Sequence, residues 1–112
     1  MNPEEVLKDT FGYTNFRPGQ KQVIDLVLKK QNVLAVMPTG GGKSMCYQIP
    51  ALINSGVTLV ISPLISLMKD QIDNLKQNGI NAAALNSTTP QEEVNPILRQ
   101  AYEGKIKLIY IT

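Results

Sequence analysis

The 112-residue sequence contains no histidine, no tryptophan and a single cysteine, Cys46. One cysteine cannot close an intrachain disulfide, and without histidine the sequence offers no metal-ligand cluster. Cys46 therefore reads as a small core residue rather than a reactive thiol. No apolar run approaches the roughly 20 residues that a membrane-spanning helix needs. The opening residues MNPEEVLKD are acidic and lack the basic start and apolar core of a secretory signal, so the expected location is cytoplasmic, with nucleoid association compatible in a bacterial cell. Repeats, linkers and low-complexity tracts are missing too. The apolar content of 43% and charged content of 18% are those of an ordinary globular protein. A formal charge of +2 is too small to argue for a polyanionic partner by itself, and the length allows one small domain at most.

What is present is an alternation of helical and strand patterns. Asn2, Pro3, Glu4 and Glu5 form a helix-start signal, with Val6, Leu7, Thr10 and Phe11 on one face before Gly12. Pro18 starts a second helix, running to about Lys30 on the stripe Val23, Ile24, Val27, Leu28. Residues 33–37 are an uninterrupted apolar run that suits a strand buried on both faces of a parallel sheet. Residues 44–53 read as a helix that Pro50 should kink or stop early. Residues 57–62 repeat the buried-strand pattern. Ser62 and Pro63 then read as N-cap and first residue of a helix with the stripe Leu64, Leu67, Met68, Ile72, Leu75. Residues 81–85 form a weaker strand pattern, Thr89, Pro90 and Glu92 a capping box for a helix ending near Gly104, and residues 107–112 a last strand. The class implied is α/β, a parallel sheet flanked by helices on both faces. The chain stops on the apolar strand KLIYIT with no turn behind it, which predicts truncation within a longer domain.

Residues 37–44 read MPTGGGKS, between a strand pattern and a helix pattern. That is the context in which a GxxxxGK[ST] phosphate loop is credible, although Met37 stands where the first glycine would be. Gly40, Gly41 and Gly42 can make the tight turn and let backbone N–H groups converge on phosphate oxygens, with Thr39 in the same turn. Lys43 would reach the terminal phosphates of ATP and is the candidate catalytic cation. The Ser44 hydroxyl would ligate Mg²⁺, and the helix beginning there points its positive end at the anion.

FGYTNFRPGQ at residues 11–20, followed about 20 residues later by MPTGGGKSMCYQIPA, resembles the first two motifs of the RecQ family of DNA helicases. The resemblance implies a partial RecA-like domain over residues 1–112, in which Gln20 reads the adenine edge while Tyr13 and Arg17 sandwich the base. An amide matches adenine's adjacent donor and acceptor, and a ring and a guanidinium plane can each stack on a base. On this reading the Gln20 amide touches only the base. The competing reading makes Tyr13 and Phe16 core aromatics and Gln20 a solvated helix residue.

VISPLISLMKDQ at residues 60–71 resembles that family's motif Ia, which lies along single-stranded DNA. Ser62 and Ser66, at a helix start with free N–H groups, would contact phosphate without reading sequence. Asn86 and Ser87, in LNST, sit where the family has a further DNA-contacting segment. Lys69, Asp70, Asp73 and Lys76 read as a solvated helix face.

The implied function is the ATP-binding portion of an ATP-dependent, 3′ to 5′ DNA helicase of repair and recombination, using ATP and Mg²⁺ and acting on single-stranded or forked DNA. The family's Asp-Glu-x-His box and second motor lobe are not in the sequence, so the rest of such a chain would be required for activity. Three other readings compete. A DEAD-box-like RNA helicase would carry a Pro-Thr-Arg-Glu-Leu-Ala type segment where this chain has SPLISLMKDQ. A small-molecule kinase or GTP switch would not need Arg17 and Gln20 upstream of the loop. A non-catalytic nucleotide-binding module would explain the missing carboxylates.

Overall fold

The computed structural model describes residues 1–38 and 42–112, and these divide into two compact units, Met1–Ser55 and Gly56–Thr112. The first is helical: α1 (Pro3–Asp9), α2 (Gln20–Leu28) and α3 (Met45–Ile53). The side chain of Asn2 caps α1 by accepting a 2.8 Å hydrogen bond from the Glu5 backbone N–H, as its sequence position predicts. Val6, Leu7, Ile24 and Ile49 form the core of this unit, with Phe11, Phe16 and Leu28 packed against it. On the surface, the Lys21 ammonium donates to both Asp25 carboxylate oxygens at 2.8 and 2.9 Å and lies 3.3 Å from Glu4, tying α2 to α1. Asp25 is the main cause, and Glu4 a lesser one, of a Lys21 pKa held above the ordinary lysine value.

The deviations from the sequence expectation have local causes. α2 begins at Gln20 rather than Pro18 because Gly19, at φ 87°, is in the left-handed region. α3 continues past Pro50 to Ile53, so the expected early stop does not occur. Ile49, Pro50 and Ala51 are all buried, and that burial offsets the donor that proline removes. The strand expected at residues 33–37 is not formed, and Leu34 and Val36 are 93% and 90% exposed. An apolar run becomes a strand only where a neighbouring backbone supplies the ladder, and the described residues of the unit that contains it form helices but no strand.

The second unit carries β1 (Thr58–Ile61), α4 (Ile65–Gln77), β2 (Ala82–Leu85), α5 (Gln91–Tyr102) and β3 (Leu108–Ile111). Its sheet is wholly parallel, in the order β1-β3-β2, with Leu108 opposite both Thr58 and Ala82. Successive strand residues face opposite sides, so the burial of Leu108, Ile109 and Tyr110 covers the central strand on both faces. β1 lies at an edge, and Leu59 and Ile61 are exposed, so the two-sided burial expected of that strand does not occur. α4 buries Met68, Ile72 and Leu75, whereas Leu64 and Leu67 of the expected stripe remain exposed. Lys69, Asp70, Asp73 and Lys76 form the anticipated solvated face.

The helix starts in this unit lie later than the sequence suggests. α4 begins at Ile65 with Leu64 as its cap, because the Ser62 backbone N–H is held by the Ile111 carbonyl at 2.9 Å and so continues the β1–β3 ladder. The Ser62 hydroxyl accepts instead from the Leu64 N–H at 3.3 Å, a serine turn rather than a helix cap. Likewise, Pro90 precedes α5 without a side-chain cap, since the Thr89 hydroxyl donates to the Ala84 carbonyl and accepts from the Asn86 N–H.

Ile24 is fully buried at the centre of the helical unit. Ile24→Ala is expected to cost about 2–5 kcal/mol of folding free energy. The exposed Tyr102→Ala should stay within about 0.5 kcal/mol of the parent, and paired urea melts compare the two.

Candidate nucleotide-binding site

Thr39, Gly40 and Gly41 of the phosphate loop lie outside the described residues. The described part runs from Gly42 into α3. Gly42 has φ 78°, a conformation that a side chain disfavours, and a Cβ built on it would collide with Gln20 Nε2. Lys43 is exposed and makes no ion pair among the described residues. Ser44 occupies the N-cap position of α3 without making a side-chain cap, so its hydroxyl is not committed to the helix end. The N–H groups of Met45, Cys46 and Tyr47 in this first turn donate to the Gly42, Lys43 and Ser44 carbonyls at 3.2, 3.0 and 3.3 Å, and the positive end of the helix dipole lies there. Cys46, two residues on from Ser44, is buried as expected, and burial pushes its thiol pKa up. Its Sγ–H donates to Met37 Sδ at 3.9 Å.

Gln20 is where the structure adds most to the sequence. Only 3% exposed, it is not a solvated helix residue. Its Oε1 accepts from the Arg17 backbone N–H at 2.8 Å, and its Nε2 donates to the Gly42 carbonyl at 2.9 Å. One side chain thus joins the turn before α2 to Gly42, 22 residues later. This corrects the expectation that the amide touches only a base, because a primary amide has two donors and two acceptor positions, and one of each is already used inside the protein.

Beside this link lies a cavity of about 260 Å³. Tyr13, Asn15, Arg17, Gln20, Gly42 and Ser44 line it, together with the apolar Leu7 and Met45. Tyr13 is 55% exposed at this cavity while Phe16 packs on the helical core, so the two aromatics that one reading grouped together separate. The volume lies just under the usual range for small-molecule pockets and suits a heterocyclic base rather than a whole nucleotide.

The model of the DEAD/DEAH box helicases matches residues 17–112, from Arg17 of this cavity to the last strand. The chain belongs to the DEAD/DEAH box helicase family. It is 54% identical to an ATP-dependent DNA helicase RecQ of Haemophilus influenzae and 56% identical to that of Bacillus subtilis, with 96% and 97% of this chain covered. The resemblance to the RecQ family is therefore borne out. The chain spans only 17% and 19% of the length of those two curated relatives. Among solved structures it resembles a hypothetical ATP-dependent RNA helicase from Sulfolobus tokodaii, with a TM-score of 0.77 and 25% identity, over 100% of this chain and 34% of that one.

For a DEAD/DEAH box helicase the described residues fit an ATP phosphate group on their own geometry. Gly42 has the positive φ of a glycine turn, and among the described residues Lys43 makes no ion pair and the Ser44 hydroxyl makes no helix cap. In the sheet unit, Ser62 follows β1 and Asn86 follows β2, so both emerge at the carboxyl edge with β3 between them. Parallel sheets bind ligands at that edge. Ser66 and Ser87 are exposed there, while Asn86 is committed to its own loop: Oδ1 accepts from the Thr88 N–H at 2.8 Å and from the Thr88 hydroxyl at 2.6 Å. Sequence reasoning missed Leu7, Asn15 and Met45 as cavity residues. For Asn15 a signal existed, its spacing of two from both Tyr13 and Arg17.

Proposed function

We propose that the chain forms the ATP-binding front part of an ATP-dependent DNA helicase of the RecQ type, one that moves 3′ to 5′ and serves DNA repair and recombination. Tyr13 and Arg17 enclose the adenine, Gln20 reads its edge with its remaining donor and lone pair, and the turn from Thr39 to Ser44 holds the phosphates. Lys43 supplies the catalytic cation, and Ser44 holds Mg²⁺, which neutralises phosphate charge when bound. The observation that carries this reading is the Gln20 link from the Arg17 N–H to the Gly42 carbonyl beside a base-sized cavity, which supports one shared site for base and phosphates. The carboxylate pair needed for turnover lies, in this reading, in a part of a longer protein outside the 112 residues, as the length of the relatives supports. Such a protein works in the cytoplasm or on the nucleoid.

With Mg²⁺ present, the chain should bind ATP more tightly than GTP in a calorimetric titration. Equal binding of the two, or none, overturns the adenine reading.

The DNA side of the proposal places Ser62, Ser66, Asn86 and Ser87 along the backbone of a single or forked strand, with Asn86 shaping its loop. Binding should then tolerate any sequence and weaken steeply as salt rises. Ser66→Glu puts a like charge near a phosphate, worth about 1 kcal/mol in water at close range, so DNA affinity should fall roughly fivefold with ATP affinity unchanged. A folded variant with normal DNA binding reduces the segment to a plain helix start. The RNA-helicase alternative rests on a structural likeness at 25% identity, against DNA-helicase relatives at 54% and 56%. Competition between single-stranded DNA and RNA of one sequence decides between them.

A further inference from the structure

We infer that Asn15 is a second base-reading amide of this site and sets its preference between adenine and guanine, an inference that rests on the nucleotide reading above. Tyr13, Asn15 and Arg17 all line the 260 Å³ cavity, whereas Phe16 between the last two packs on the helical core. Alternate residues of this turn therefore line the cavity, and Asn15 stands between Tyr13 and Arg17 in sequence. Its side chain is nearly uncommitted: among the described residues its one hydrogen bond is a long one, from Nδ2 to Thr14 Oγ1 at 3.4 Å. One N–H and the whole of Oδ1 are left to a ligand. Gln20 is the opposite case, buried and fixed at both ends of its amide by Arg17 and Gly42.

A base held between Tyr13 and Arg17 would have its faces against those two side chains and its edge toward the amides. Adenine offers an amino donor next to a ring-nitrogen acceptor, which a carboxamide matches with one acceptor and one donor. Guanine presents two adjacent donors, N1–H and N2–H₂, and a carbonyl, so it suits a carboxylate instead. Because Asn15 is exposed on a turn, its amide can rotate to meet whichever adenine edge is presented, while the buried Gln20 keeps loop and turn at a set separation.

The test is titration calorimetry of the full chain with ATP and with GTP. Asn15→Leu should lower the ATP-to-GTP affinity ratio by about tenfold, the size of one lost bidentate contact. Asn15→Asp, which can only accept, should move the ratio further, by roughly 30-fold or more, through weaker ATP and stronger GTP binding. Circular dichroism confirms folding of both variants, which alter an exposed side chain. Lys43→Ala, measured in parallel, separates the two claims. An unchanged ratio in both Asn15 variants, with nucleotide binding still lost in Lys43→Ala, overturns the role of Asn15 and leaves the nucleotide site standing. Undiminished binding in Lys43→Ala overturns the site and the inference with it.

Discussion

Lys43→Ala is expected to weaken ATP binding by about 10- to 100-fold and to abolish ATP turnover in any longer protein that carries this segment. A charge-assisted hydrogen bond contributes roughly 1.5–3 kcal/mol, and in the proposed site Lys43 is the cation that neutralises the terminal phosphates. Lys43 is exposed and has no ion pair among the described residues, so its removal leaves no unpaired partner and folding should be unaffected. The parent chain and the variant should therefore melt together in the absence of nucleotide. They should separate when ATP is added, since only a form that binds the ligand gains stability from it. Equal stabilisation of both by ATP would sink the phosphate-loop assignment. Arginine at this position would keep the charge but not the compact ammonium, so partial binding is expected there.

How far the chain could be read in advance depended on whether the deciding interaction was local. The Asn2 cap and the left-handed Gly12 and Gly104 after α1 and α5 are local, and they appear where the residues place them. The apolar run at 33–37 has the composition of a buried strand, but a ladder needs a second backbone, which composition cannot supply. Ser62 and Thr89 are good capping residues whose polar groups are taken instead by β3 and by the loop after β2. For Ser62 a bond to a distant strand outcompeted the local rule, and for Thr89 two bonds to residues three and five positions back did so.

The site shows the same division. Gly42, Lys43 and Ser44 form a contiguous motif whose proposed chemistry is read from order alone, and among the described residues Lys43 makes no ion pair and the Ser44 hydroxyl no helix cap. The second role of Gln20 was not legible, because nothing in a glutamine near a proline announces a bond to a carbonyl 22 residues away. Asn15 was passed over because an exposed asparagine in a turn has an ordinary explanation. Only its place in the cavity wall between Tyr13 and Arg17 gives it another.

Gly42 is the position at which these two levels meet, and Gly42→Ala should be nearly as damaging as loss of the lysine. The first cost is conformational. At φ 78° an alanine is disfavoured by about 1–2 kcal/mol, so the loop would populate this geometry some 5- to 30-fold less. The second is steric, because the added Cβ occupies the place of Gln20 Nε2 and forces the amide away from the Gly42 carbonyl. The displaced amide also loses the Arg17 N–H, leaving polar groups without partners at about 1–3 kcal/mol each where they are buried. Together these should lower ATP affinity by about 100-fold or more. Gln20→Ala separates the terms. In the double variant the collision is gone but the backbone strain remains, so Gly42→Ala should cost less in a chain that already carries Gln20→Ala than in the parent chain. A coupling of about 1 kcal/mol or more in that double-mutant cycle is the expected result. Strict additivity would mean that the Gln20 amide does not touch the loop in solution, and the link between the base cavity and the phosphate turn would have to be abandoned.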